Sequence, residues 1–379
     1  MAKIRLGYDD VKIGVPLTFK IMNESGRTLL NIGYVISSAD QLERLVERGV
    51  YFDAFEEGVA TSTAVERVSV YQLGIAVAEE YEALLAQPID AAVISRLAGI
   101  AEEIERICLL DADAALAMIL LHKTPRYSVR HAFAAAILTE VLMRELKQDV
   151  ADVHRAVKAA LCMNLCMLEL QDTLYRQEEA LTLEQKQAIV LHPQRAVALL
   201  SAAGCSDTAL LDAVYDHHEM INGSGYARRK KSPDLSLIAQ VVSLADRYCA
   251  VVSERAYRVA TPPNIAAREL LSRQAATIDP QLSSHFIRVI GVYPPGAVVT
   301  LVNGETAVVV RRTLHPLHPV VRSLRSRNGI RYPEPPKRLT SKDSFGIADA
   351  ASPDHLKGVD LASLWPQVEG EEGAEGHGA

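Results

Sequence analysis

Residues 216–231, DHHEMINGSGYARRKK, set two adjacent histidines, His217 and His218, beside acids and ahead of a glycine-rich turn, Tyr226 and four cations. Adjacent imidazoles suit a borderline divalent metal, and glycines followed by cations suit a phosphate group. Three more polar residues stand in apolar patterns: His131 in YSVRHAFAAAIL, His192 in IVLHPQRAVALL and Asp246 in LIAQVVSLADRYCAVV. An ionised aspartate on so apolar a helix is costly to bury without a cation or hydrogen-bond donors. Singly, each of these residues is more often a satisfied core polar group than a ligand. Five together, all on helical segments of one region, point to a site inside a bundle. The run Arg228-Arg229-Lys230-Lys231 reads equally as a local phosphate contact and as a solvated loop.

The elements that must position these residues are helical. From Thr61 to His122 apolar residues recur at three- and four-residue spacing, and Pro125 interrupts the run. The same period predicts helices over 127–147, 150–170, 183–203, 207–218, 235–253 and 264–274. Outside this region the pattern changes. Residues 4–36 carry β-formers and read as two strands joined at Glu24-Ser25-Gly26. SSADQLERLVERG follows as a short helix ended by Gly49, and VYFD returns as a strand. AVVTLVNGETAVVVRR is a pair of strand patterns about Asn303-Gly304, a hairpin signal, and HPVVRSL adds a third strand. The predicted fold class is mostly α: a helical bundle with a small α+β N-terminal domain and a short C-terminal β appendage. The expected parts are the small α+β domain over 1–60, connecting helices over 61–124, the helical domain over 125–290, and the β-rich appendage over 291–332. Residues 333–379, with PEPPKR and an acidic, glycine-rich end, read as a flexible tail.

Composition bounds what such a site can serve. The 379 residues have room for two or three domains, and 49% apolar with 23% charged residues is ordinary for a soluble globular chain. A net charge of -7 argues against bulk nucleic-acid binding, because no positive field gathers phosphates non-specifically. The N-terminus has no apolar core of signal-peptide length, and stretches such as Ala115 to Leu121 are too short to cross a bilayer. A cytoplasmic protein is expected. Cys108, Cys162, Cys166, Cys205 and Cys249 are odd in number and sit in apolar patterns, as buried free thiols do. Cys162 and Cys166 lie one helical turn apart, a spacing that suits a metal chelate but fits two core positions better.

The stretch from Tyr127 to Arg258 resembles the HD-GYP family, a branch of the HD phosphohydrolases that hydrolyses cyclic di-GMP. HHEMINGSGYA follows the family signature His-His-Glu-x-x-Asp/Asn-Gly-x-Gly-Tyr-Pro, LADRYCAVVSERAYR follows its next helix, and LHP at 191–193 a third segment. The N-terminal domain and the segment YPPGAVVTLVNGETAVVV are also similar to neighbours of HD-GYP domains. The resemblance implies an HD-type helical bundle in which His131, His192, His217, His218 and Asp246 are metal ligands. In the family two or three ferrous or similar ions activate a water for attack on the phosphodiester. It also implies Tyr226 near a guanine or the phosphates, with Arg255 and Arg258 on phosphate oxygens. For the two arginines a second reading stands level with this one, in which they cap the 235–253 helix and pair with Glu254 or the N-terminal domain.

One segment departs from the family. Where it reads AALLHDIGKIGI, this chain reads AALCMNLCMLEL, on what is expected to be an intact helix. Met163 stands at the histidine, Asn164 at the aspartate and Met167 at the lysine, and Ala227 replaces the proline of the signature. An asparagine offers one neutral carbonyl oxygen in place of a bridging anion, and a thioether is a poor ligand for borderline ions. The expectation is therefore a cyclic di-GMP signalling protein with a degenerate metal site, holding one divalent ion (iron or manganese) or none. It would hydrolyse weakly or not at all and act as a sensor or as an interaction module toward signalling proteins. The alternatives are an active phosphodiesterase with a reduced metal site and a ligand-free scaffold.

Overall fold

The computed structural model describes residues 3–53 apart from 18, 32, 33 and 37, and residues 69–254, 261–273 and 275–365. At the N-terminus β1 (Lys3–Arg5), β2 (Ile21–Met22), β3 (Thr28–Leu30) and β4 (Tyr51–Asp53) form an antiparallel sheet in the order β1-β4-β2-β3. Between β3 and β4 runs α1 (Ala39–Glu47), opened by Ser38, whose hydroxyl accepts from the Gln41 amide. Gly49 ends the segment at φ +68°, a conformation that costs a glycine little. Leu42 and Leu45 of α1 bury against Leu6, Ile21, Leu30 and Ile36, a small core of their own.

The helical region comprises α2 (Val70–Leu85), α3 (Ala91–Leu110), α4 (Ala112–Leu121), α5 (Tyr127–Glu145), α6 (Val150–Cys162), α7 (Leu168–Arg176), α8 (Leu183–Ala202), α9 (Thr208–Asp216), α10 (Leu237–Val252), α11 (Pro263–Arg273) and α12 (Pro280–Ile290). Side chains of Asp90, Asp111, Asp149, Thr182, Asp207 and Ser236 each accept from a first-turn amide and start these helices. α5 is the axis. It is buried on nearly every side, from Tyr127 to Met143, because Ala132, Ala134, Ala135 and Ala136 let α6 and α10 approach closely. The expected helix over 150–170 is broken. α6 stops at Cys162, Asn164 leaves helical geometry at φ −114° and ψ 10°, and a 3-10 turn at Leu165–Met167 leads into α7. Asparagine's side chain competes for the backbone and weakens a helix there. Helical periodicity at 61–68 lies outside the described residues.

After α12 the chain builds β5 (Val298–Leu301), β6 (Thr306–Arg311), β7 (Val320–Arg325), β8 (Lys337–Leu339) and β9 (Ile347–Ala350), an antiparallel sheet in the order β8-β7-β6-β5-β9. Gly304, at φ +84°, turns the β5–β6 hairpin as its sequence predicts. The tail reading of 333–379 is corrected over 337–365. β8 and β9 add to the two edges of the sheet, and Trp365, 2% exposed, stacks on Tyr71 of α2 at 5.7 Å. Its indole N–H donates to the Val310 carbonyl at 2.9 Å. Edge pairing and one buried aromatic order a stretch whose composition has little core of its own. Residues 366–379 lie outside the described residues. Among the described residues no helix is long and apolar enough to cross a membrane. All five cysteines are unpaired, with Cys108, Cys162 and Cys249 buried.

Candidate metal centre

His192, in α8, and His217, one residue past the end of α9, face each other with their Nε2 atoms 3.0 Å apart. The Nδ1 of His192 donates to the Ile189 carbonyl and that of His217 to the Val214 carbonyl, each at 2.6 Å. A carbonyl only accepts, so each ring carries its proton on Nδ1 and, when neutral, presents a bare Nε2. Burial, then the neighbouring His217, pushes His192 down to about 3. Burial likewise lowers His217. His218 is held well below the ordinary range by burial and then by His217. Neutral rings with lone pairs face to face repel one another, and a cation between them removes that conflict. Donor atoms of His192, His217 and His218 all lie within 4.8 Å of one another. The set fits a divalent ion of the borderline kind.

His131 and Asp246 form a separate pair beside this cluster. His131 Nε2 lies 2.7 Å from Asp246 Oδ1, and the Tyr127 hydroxyl is 3.4 Å from His131 Nδ1. Burial alone raises the Asp246 carboxyl, but the His131 hydrogen bond and the surrounding imidazoles outweigh it and hold the group well below the usual carboxylate range. Its other oxygen lies 3.9 Å from His218 Nδ1, so the carboxylate stands between His131 and the three-histidine cluster. The five sequence candidates therefore come together as three and two.

Residues 114–282 match the family described as HD domain. The cyclic di-GMP phosphodiesterase PA4108 of Pseudomonas aeruginosa is 26% identical over 369 residues, 88% of this chain and 86% of that protein. The 3'3'-cGAMP-specific phosphodiesterase 3 of Vibrio cholerae is 25% identical over 172 residues, 45% of this chain and 37% of the relative. Among solved structures, Bd1817, an HDG"Y"P protein from Bdellovibrio bacteriovorus, superposes with a TM-score of 0.50 at 14% identity, covering 75% of this chain and 98% of its own. Residues 114–282 thus match the HD domain, and the chain is similar to cyclic-dinucleotide phosphodiesterases in sequence and to an HDG"Y"P protein in fold.

The loop that resembles the HD-GYP signature closes over His218. The Tyr226 ring stacks on the His218 ring at 4.7 Å, and the Tyr226 amide donates to the His218 carbonyl at 3.2 Å. Burial raises the Tyr226 phenol, which keeps it protonated. Gly225 permits this fold-back, since a Cβ there would sit 2.4 Å from the His218 carbonyl oxygen. Sequence reasoning missed the clamp. Glu219, 1% exposed, accepts from the amides of Arg228 and Arg229 at 2.5 and 2.7 Å and so pins the far end of the loop. Its place after the two histidines was visible, but nothing local says that its carboxylate turns to backbone amides. The cation run is also partly spent. Arg228 pairs with Asp212 at 2.8 Å and with Asp216 at 2.6 Å, and Lys230 pairs with Asp216 at 2.8 Å.

Met163 is fully buried at the end of α6, Asn164 is 3% exposed beside it, and Met167 is half-buried. The turn that follows packs on α8, where the Cys166 thiol donates to the His192 carbonyl at 3.2 Å. The segment that departs from the family thus lies against the helix carrying His192. Arg255 and Arg258 lie outside the described residues.

Proposed function

We propose that this chain is a cyclic di-GMP-responsive HD-GYP protein with a reduced metal site, holding one divalent ion and hydrolysing the dinucleotide slowly or not at all. The carrying observation is the contrast between three facing imidazoles and the buried Met163-Asn164 pair where the family's histidine and aspartate stand. His192, His217 and His218 would hold the ion, with the Asp246 carboxylate offsetting its charge. When bound, a divalent ion supplies Lewis-acid polarisation of a phosphodiester oxygen. Tyr226 packs on His218 and fixes the ring's orientation. Asn164 brings no charge to bridge a second ion, and Met167 no cation for the phosphate. The relatives that support the ligand class are named as phosphodiesterases of cyclic dinucleotides.

An active enzyme with a reduced site is the second reading, favoured by the intact three-histidine cluster and by a relative of nearly matching length named as a phosphodiesterase. Elemental analysis of untagged protein, combined with a hydrolysis assay in ferrous or manganous ion, separates the two. At most about one ion per chain, measurable cyclic di-GMP binding and little linear product are expected. Two or more ions per chain with rapid turnover would sink the reduced-site reading.

A further inference from the structure

Arg130 stands on α5 one residue before His131 and is half-buried. Among the described residues no carboxylate pairs with its guanidinium, which lies instead 5.5 Å from the ring centroid of Tyr127 and 5.3 Å from that of Tyr175. The two tyrosine rings stack on each other at 4.7 Å, and Tyr127 stacks in turn on His131 at 5.4 Å. Buried Asp172 of α7 holds the arrangement, accepting from the Ser128 amide at 2.7 Å and from Arg126 Nε at 3.1 Å. Both oxygens of that carboxylate are thereby committed to the start of α5, one to its capping residue Arg126 and one to its first turn. Tyr127 is buried, while Tyr175 keeps part of its side chain at the surface.

Packing does not ask for Arg130, because an apolar side chain would close the α5–α7 seam without desolvating a charge. A guanidinium beside a half-exposed aromatic ring is instead suited to nucleotides: the ring offers a stacking face and the fork meets phosphate oxygens. We infer that Tyr175 and Arg130 form a nucleotide subsite, in which Tyr175 stacks a purine base and Arg130 takes an anionic phosphate oxygen. The subsite is one ring removed from His131, and its assignment to cyclic di-GMP rests on the functional reading above.

Calorimetric titration of cyclic di-GMP into the full chain and into Tyr175→Leu, Tyr175→Phe and Arg130→Gln tests it. Leucine keeps apolar bulk and removes the π face, whereas phenylalanine keeps the ring. Binding is expected to weaken roughly tenfold in Tyr175→Leu and Arg130→Gln and to stay at the wild-type level in Tyr175→Phe, with metal content unchanged throughout. The salt dependence of binding is expected to flatten in Arg130→Gln. Wild-type affinity in both Tyr175→Leu and Arg130→Gln overturns the subsite and leaves the functional reading standing. If Tyr175→Leu does not fold, Arg130→Gln, at a half-exposed position, decides alone. If the unaltered chain binds no cyclic di-GMP, the functional reading fails; GMP then probes the subsite, and absent or Arg130-independent GMP binding overturns that too.

Discussion

Asn164 differs from aspartate by an amide nitrogen in place of one oxygen, and that exchange removes an anion where a second cation would need it. Met163 beside it is fully buried in the main core, so a histidine there must lose its hydration before it can serve as a ligand. The triple change Met163→His, Asn164→Asp and Met167→Lys is therefore expected to destabilise the metal-free protein by about 1–3 kcal/mol. Added ferrous or manganous ion should recover that loss, raise the ion count above the parent's and bring measurable hydrolysis of cyclic di-GMP. Thermal melts with and without ion, elemental analysis and product formation report these changes together. A folded triple variant that takes up no more metal than the parent would show that the α6 break holds these side chains away from the histidines.

Within the appendage, Glu305 ties the hairpin to its neighbours. Its oxygens accept from Ser323 Oγ at 2.5 Å, from Tyr332 Oη at 3.0 Å and from Arg338 at 3.0 and 3.1 Å. The Arg338 hydrogen bonds, with those of Ser323 and Tyr332, outweigh burial and hold the carboxyl down to about 2. The folded value lies below the unfolded one, near 4.5, so the unfolded chain binds more protons between them. This contribution is complete above the unfolded value and fades as pH falls toward 2. Glu305→Gln is expected to cost on the order of 2 kcal/mol at pH 7, with the difference from wild type vanishing near pH 2. Urea titrations at several pH values measure it, and a pH-independent gap would refute the assignment. The β5–β6 hairpin was legible from Asn303-Gly304, whereas β8 and β9, only three and four residues long, owe their state to the strands they pair with.

Across the molecule, the N-terminal domain is fastened to the bundle by a buried ion pair. Arg48 Nη2 lies 2.6 Å from Glu105 Oε2 of α3, and His154 of α6 meets the other Glu105 oxygen at 2.7 Å. Arg27 adds bridges to Glu102 and Glu103 nearer the surface. At the other side Arg311 pairs with Asp111 and Arg312 with Asp113, fixing the appendage to the start of α4. The Arg27 bridges lie at the surface and contribute little, so among the contacts that fasten the N-terminal domain the buried Arg48–Glu105 pair is the one expected to matter. Arg48→Met should lower stability by about 2 kcal/mol and make the N-terminal domain the first part cleaved in limited proteolysis. Unchanged cleavage would mean that the packing of Leu110 of α3 against the N-terminal core and the Arg27 bridges suffice to hold it.

Local signals carried the bundle, the hairpin and the five polar residues of the centre, because helical period and turn chemistry are written within a few residues of one another. The same signals marked Met163 and Asn164 as a departure but read an unbroken helix through them, since apolar spacing continues across the point where Asn164 leaves helical geometry. Tertiary structure alone decided how the five divide, three histidines facing one another and His131 held by Asp246, because hydrogen-bond partners come from segments up to 115 residues apart. It also turned Glu219 onto backbone amides, spent Arg228 and Lys230 on Asp216, and drew Trp365 onto Tyr71. Each of these is a choice among partners of similar local chemistry. Distance and burial make that choice, and neither exists until the chain has folded.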